Sequence, residues 1–137
     1  MERTRSETLK LFLGSDVGRR RMEAKQNELT SDQRSMVNVW ERHVASEFAT
    51  KDPATALETM VPDAQVNHVP VMTGGMGRAQ LTEFYSNHFI PKMPADTEIQ
   101  PISRTISSDS LVDEMIIRFT HSIEIDWMLP GIAPTGK

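Results

Sequence analysis

Cysteine is absent from all 137 residues. Its absence excludes a disulfide-framed scaffold, a thiolate zinc site, a cysteine nucleophile and a redox dithiol, and it fits a reducing compartment, so the expected location is cytoplasmic. Long apolar runs are missing as well. The longest stretch without Asp, Glu, Lys or Arg, residues 64–77, is rich in Gly, Pro, Asn and Thr, so no membrane contact is expected. Basic charge is scarce in the body of the chain. Lys and Arg number 15 against 19 Asp and Glu, a formal charge of −4; residues 1–28 hold seven basic and five acidic groups, and the rest holds eight and fourteen. An acidic body lacks the clustered cations that track phosphates, so no nucleic-acid partner is expected. Arg19-Arg20-Arg21 reads as a solvated run, since it falls short of the roughly five to eight residues of a polyanion-binding or localisation signal. No apolar segment suits a secretory signal, and Glu2, Glu7 and Asp16 stand where a transit peptide should be free of acid. The four histidines show no metal-ligand spacing, and no metal is expected.

A chain of this length forms one domain that buries on the order of two thirds of its unfolded surface, enough for a hydrophobic core without staples. Glycines interrupt the scattered apolar residues of 1–28, which reads as a flexible N-terminal extension with one short helix over 6–13. The domain proper is 29–137. Thr30 and Gln33 have the form of a capping box, and Met36, Trp40, Val44 and Phe48 recur at every fourth position, which predicts a helix ending near Thr50. Asp52-Pro53 starts a second helix that ends near Met60.

From Ala64 the period changes to two, which predicts a strand through His68 that leaves its sheet at Pro70. Thr73-Gly74-Gly75-Met76-Gly77 reads as a loop; it lacks the spacing and the Lys of a phosphate loop and is taken as a plain tight turn. A third helix follows from about Arg78 to Phe89, stopped by Pro91 and Pro94. Two strands come next, Glu98–Ile106 and Leu111–Asp126, joined through Ser107-Ser108-Asp109-Ser110 as a hairpin. Helices followed mainly by strands give an α+β fold, with helices on one face of a curved, mostly antiparallel sheet.

Proton-transfer chemistry has few candidates. His43, on the polar side of the first helix, and His88, on the third, read as structural or surface residues. His68 and His121 lie among apolar strand residues, where an imidazole is either a satisfied core group or a reactive one. Asp126 beside Trp127 is either a carboxyl raised by burial toward the range of a general acid or base, or an exposed strand residue paired with Arg118 or Arg104. Glu114 reads as the paired kind.

The segments His68-Val69-Pro70-Val71-Met72-Thr73-Gly74-Gly75, Phe84-Tyr85, His88-Phe89-Ile90-Pro91 and Asp126–Lys137, with its Gly131-x-x-Pro134-Thr135-Gly136-Lys137 turn, resemble the SnoaL-like polyketide cyclase branch of the nuclear transport factor 2-like superfamily. The resemblance spans about Thr30 to Lys137. It implies a cone-shaped α+β fold around a deep pocket, often a homodimer through the sheet. It also implies cofactor-free acid–base chemistry, as an isomerase, cyclase or lyase of secondary metabolism, on a small apolar or aromatic carbonyl compound. The expected catalytic residues are His68, His121 and Asp126, and the expected pocket is lined by Trp40, Met72, Tyr85, Phe89, Phe119 and Trp127. In that family the Pro-Thr-Gly turn leads into further strands that carry the usual catalytic carboxylate; the chain ends at Lys137, so a C-terminally truncated fold that self-associates is expected. The alternatives are a non-catalytic small-molecule-binding or dimerisation module, or an inactive truncated product.

Overall fold

The computed structural model describes residues 28–137; the reading of 1–28 as an extension with a helix over 6–13 lies outside the described residues. Thr30 and Gln33 close the capping box, with Thr30 N–H donating to Gln33 Oε1 at 2.9 Å and Gln33 N–H to Thr30 Oγ1 at 3.3 Å. Helix α1, Ser31–Phe48, starts there. Asp52 caps helix α2, Pro53–Glu58, by accepting from Ala54 N–H at 3.0 Å, while Pro53 opens the first turn, where a missing N–H costs nothing.

Strand β1, Gln65–His68, pairs antiparallel with β2, Thr73–Met76, so that His68 faces Thr73. The glycine stretch expected as a loop is therefore a strand. Gly74 has a φ of 137°, and a Cβ there would lie 2.1 Å from the Val66 carbonyl oxygen, so only glycine allows the two backbones to meet. Such a strand carries no apolar alternation to betray it. Helix α3, Gly77–Glu83, passes into a π-helical turn, Phe84–Phe89, in which Ile90 N–H reaches the Tyr85 carbonyl at 3.3 Å. The wider turn brings residues five apart over one another. Phe84 and Phe89 stack accordingly, with ring centroids 5.9 Å apart and planes 14° from parallel.

Strands β3, Glu98–Ile106, and β4, Leu111–Arg118, form the expected hairpin, with a bulge between Pro101 and Ser103. The strand expected to run to Asp126 stops at Arg118. Beyond it, Leu129 N–H donates to the Ile125 carbonyl at 2.7 Å, and His121 exchanges backbone bonds with Gly136 and Lys137, both at 2.9 Å. Ile125 and Trp127 are buried all the same, by a chain that turns over the core. Alternating apolar residues report burial, and here burial does not require a ladder.

The architecture is α+β, with two separate two-stranded antiparallel sheets among the described residues in place of one curved sheet. Among the described residues, no helix is long and apolar enough to cross a membrane. The described residues divide into two compact units, one of residues 28–41 with Glu98–Arg118, the other of Arg42–Thr97 with Phe119–Lys137. In the first unit, Gln33 Nε2 donates to the Ser107 carbonyl at 3.1 Å. The Arg104 guanidinium, buried like its partner, grips Asp113 through two bonds of 2.7 and 2.8 Å and reaches Glu41 at 2.9 Å. Trp40 Nε1–H donates to the same Asp113 carboxylate at 2.6 Å. Arg104 had been a possible partner for Glu114 or Asp126; instead Glu114 accepts from Ser103 Oγ at 3.0 Å. In the second unit, Leu57, Leu81, Phe84, Phe89, Ile125 and Trp127 belong to one buried cluster, and this cluster carries the polar groups described next.

Candidate functional site: an aromatic cluster with orphaned polar atoms

His68 ends β1 among three aromatic rings: Phe84 at 5.4 Å, Phe89 at 5.5 Å and Trp127 at 5.0 Å between centroids. The hairpin and the C-terminal segment are joined at this point. Thr73, opposite His68 in the ladder, donates its hydroxyl to the Trp127 carbonyl. Four buried side-chain polar atoms among the described residues lack a hydrogen-bond partner, and two of them, His68 Nδ1 and Trp127 Nε1, belong to these adjacent rings. Native interiors rarely leave such atoms unmatched, because each costs about 1–3 kcal/mol of lost solvation. Burial pushes the His68 pKa below its ordinary value, against a weaker upward pull from the Thr73 backbone and the charge of Glu47. The neutral imidazole is thereby favoured.

A polar network adjoins the rings. Glu47 Oε1 accepts from the Tyr85 hydroxyl at 2.8 Å and lies 2.9 Å from His43 Nε2, while His43 Nδ1 meets Thr59 Oγ1 at 2.7 Å. Tyr85 packs edge-on against Phe89 with centroids 5.4 Å apart. Burial lowers the His43 pKa, but the Glu47 hydrogen bond and charge, with the Ala56 carbonyl, outweigh it and leave His43 raised. The Tyr85 phenol is pushed far up by burial and by Glu47. The sequence reading placed His43 on the polar side of its helix; it is buried, and with Glu47 it forms an i,i+4 pair beside Val44 and Phe48. That spacing was the available signal. Thr59 and Thr73 offered none.

The expected site residues are not all brought together. Tyr85, Phe89 and Trp127 join His68 in the cluster, and Phe119 packs at its margin. Met72, expected in the pocket wall, is 67% exposed at the hairpin turn with a φ of 60°. Trp40 belongs to the first unit, where it serves Asp113. His121 has surroundings of its own: its Nδ1 lies 3.4 Å from Thr135 Oγ1, and its Nε2 is buried without a partner. Asp126 reads from the sequence either as a carboxyl raised by burial or as an exposed strand residue paired with Arg118 or Arg104; the structure pairs it, but with other partners. Burial does push its pKa up, but the bonds from Lys92 at 2.6 Å and His88 at 2.9 Å prevail and lower it. It anchors the segment before Trp127 and is poorly suited to be a base.

The two perturbed histidines make the stability depend on pH in opposite senses. His43, raised in the fold, contributes stability that is present below pH 6.5 and lost as pH rises through its folded pKa. His68, lowered in the fold, resists protonation, so stability grows as pH rises from its folded pKa to 6.5. Between about pH 5 and 8.5 the thermal midpoint should therefore peak near 6.5. His43→Gln should flatten the alkaline limb and His68→Gln the acid limb. A midpoint that climbs or falls steadily across the window contradicts these assignments.

The fold and the cluster define a small α+β chain in which an imidazole and an indole lie as adjacent rings among phenylalanines. Comparison with family models, curated proteins and solved structures finds no match for this chain.

Proposed function

We propose that the chain is a SnoaL-like domain, of the cone-shaped nuclear transport factor 2-like type, that binds a flat apolar carbonyl compound and performs cofactor-free acid–base chemistry on it. The observation that carries this reading is the pair of orphaned atoms, His68 Nδ1 and Trp127 Nε1, on rings 5.0 Å apart. A ligand oxygen would satisfy the indole, which can only donate. His68, held neutral by its surroundings, would withdraw a proton from the carbon beside the carbonyl, and the electron pair would move onto the oxygen facing Trp127 Nε1–H. In an isomerisation the imidazolium would return the proton to another carbon of the conjugated enolate; in a ring closure the enolate carbon would instead attack a second carbonyl carbon of the same molecule, and the imidazolium would give the proton to the alkoxide oxygen so formed. Phe84 and Phe89 would exclude water from the enolate.

The probe 2-acetylnaphthalene tests this. In D2O, proton NMR should show the protein exchanging the acetyl protons faster than free imidazole at equal concentration. His68→Gln should cut that rate by about a hundredfold or more, and Trp127→Phe by about tenfold or more, with circular dichroism unchanged. Saturable binding without exchange would replace the enzyme reading with a binding module; absence of binding would end both.

A further inference from the structure

Glu47 lies 7% exposed on α1, and its carboxylate is clamped between the Tyr85 hydroxyl at 2.8 Å and His43 Nε2 at 2.9 Å. Tyr85 packs on Phe84 and Phe89, at 5.8 and 5.4 Å between centroids, and those two rings flank His68. A carboxylate is thus fixed two rings from His68, through Tyr85 and either phenylalanine, and its charge acts on that imidazole. Arg42 binds Glu58 at 2.5 Å, Arg78 reaches the carbonyls of Leu57 and Met60, and Lys92 holds Asp126 and Glu124. An anion seated against His68 and Trp127 would meet the field of Glu47, which its neighbour His43 offsets only while the imidazole carries a proton.

We propose that Glu47 sets the sign of this site: its occupant is a neutral, flat, oxygen-bearing molecule and not the corresponding carboxylate, and the positive charge His68 gains with a proton is balanced by Glu47. The inference rests on the small-molecule reading above. Glu47 is a positioning residue, since it acts through Tyr85 and through space rather than by touching the ligand. Among the described residues, the titratable groups that act on it are His43 from its own helix, Tyr85 from the π-helical turn and His68 from β1. Because His43 shares the carboxylate, discrimination against anions should strengthen as pH rises and His43 loses its proton.

Affinities of 2-acetylnaphthalene and 2-naphthoate, measured from the indole N–H resonance of Trp127 at pH 6 and pH 9, test this, together with the NMR titration of the His68 ring. The wild type should prefer the ketone by about tenfold or more at the higher pH, the scale of one charge pair at the effective dielectric of a protein interior. Glu47→Gln, which keeps an acceptor for Tyr85, should bring the two affinities within about threefold and lower the His68 titration midpoint. Glu47→Asp should retain the preference, and Glu98→Gln on β3 should change neither quantity. Equal affinities in the wild type, or a Glu47→Gln protein with an unmoved His68 midpoint, overturns the proposal. If neither probe binds, the small-molecule reading fails, and the His68 titration still decides the charge role of Glu47; the wild-type preference decides it if Glu47→Gln does not fold.

Discussion

Asp113→Ala is expected to lower the unfolding free energy by about 3–5 kcal/mol, the usual cost of removing one partner from a buried ion pair. The expectation follows from how the carboxylate is used. Asp113 accepts two bonds from Arg104 and one from Trp40 Nε1, and the side chains of both Arg104 and Asp113 are 8% exposed. The alanine variant would leave a guanidinium out of water with Glu41 as its remaining carboxylate, at 2.9 Å. It would also remove an acceptor of the Trp40 indole, whose N–H resonance should move upfield. The double variant Arg104→Met/Asp113→Leu separates an essential pair from an unbalanced charge: replacing both partners by apolar groups of similar size should recover most of the loss. Urea titrations of the three proteins check this. A loss below about 1 kcal/mol for Asp113→Ala would put the pair among solvated surface bridges and contradict its burial.

Ile125→Ala should cost about 2–5 kcal/mol. Ile125 is 0% exposed and belongs to the cluster that contains Leu81, Phe84 and Trp127, so truncation removes apolar contact on every side and leaves a cavity that the neighbours fill only in part. It lies seven residues past the end of β4, in the segment held by Lys92 and His88 through Asp126 and by Thr73 through the Trp127 carbonyl. Those anchors limit how far the segment can collapse into the void, which favours the upper part of the range. Ile123→Ala is the matched control, since Ile123 is 37% exposed and should lose less than half as much. Denaturant midpoints followed by near-ultraviolet circular dichroism would show the difference. Equal losses at the two positions would mean that residues 119–127 do bury alternate side chains as a strand does, and the description of that segment would have to change.

The outcome along the chain separates two kinds of signal. Where a structural feature is local, residues a few positions apart sufficed. Thr30 and Gln33 bond each other, Asp52 reaches Ala54, and Ser107 N–H donates to the Ser110 carbonyl at the hairpin turn. Each reflects a backbone group that needs a partner within one turn of chain, and the side chain able to supply it is visible in the sequence. The alternation in Leu111–Arg118 was read correctly for the same reason, because β4 has β3 beside it and period two records its two faces.

What the sequence left undetermined depends on partners far along the chain. Period two continues through Phe119, Ile123, Ile125 and Trp127, yet a strand needs a neighbouring backbone, and the tertiary structure offers this segment a core to cover instead. Gly74 and Gly75 carry no side-chain pattern, so their place in β2 became visible only with Val66 opposite. Asp113 carries no local sign of its role among the apolar neighbours of β4, because its partners, Arg104 and Trp40, are 9 and 73 residues away. His43 was assigned to a polar face since nothing local shows that Tyr85 and Thr59 would close over it. The sequence by itself determined α1 and α2 with their caps, the start of α3, the β3–β4 hairpin and the α+β class, mostly through backbone demands met nearby. Only the tertiary structure decided which polar atoms are satisfied and which, like His68 Nδ1 and Trp127 Nε1, are left without a partner, because satisfaction of a buried group is a property of the surroundings assembled around it.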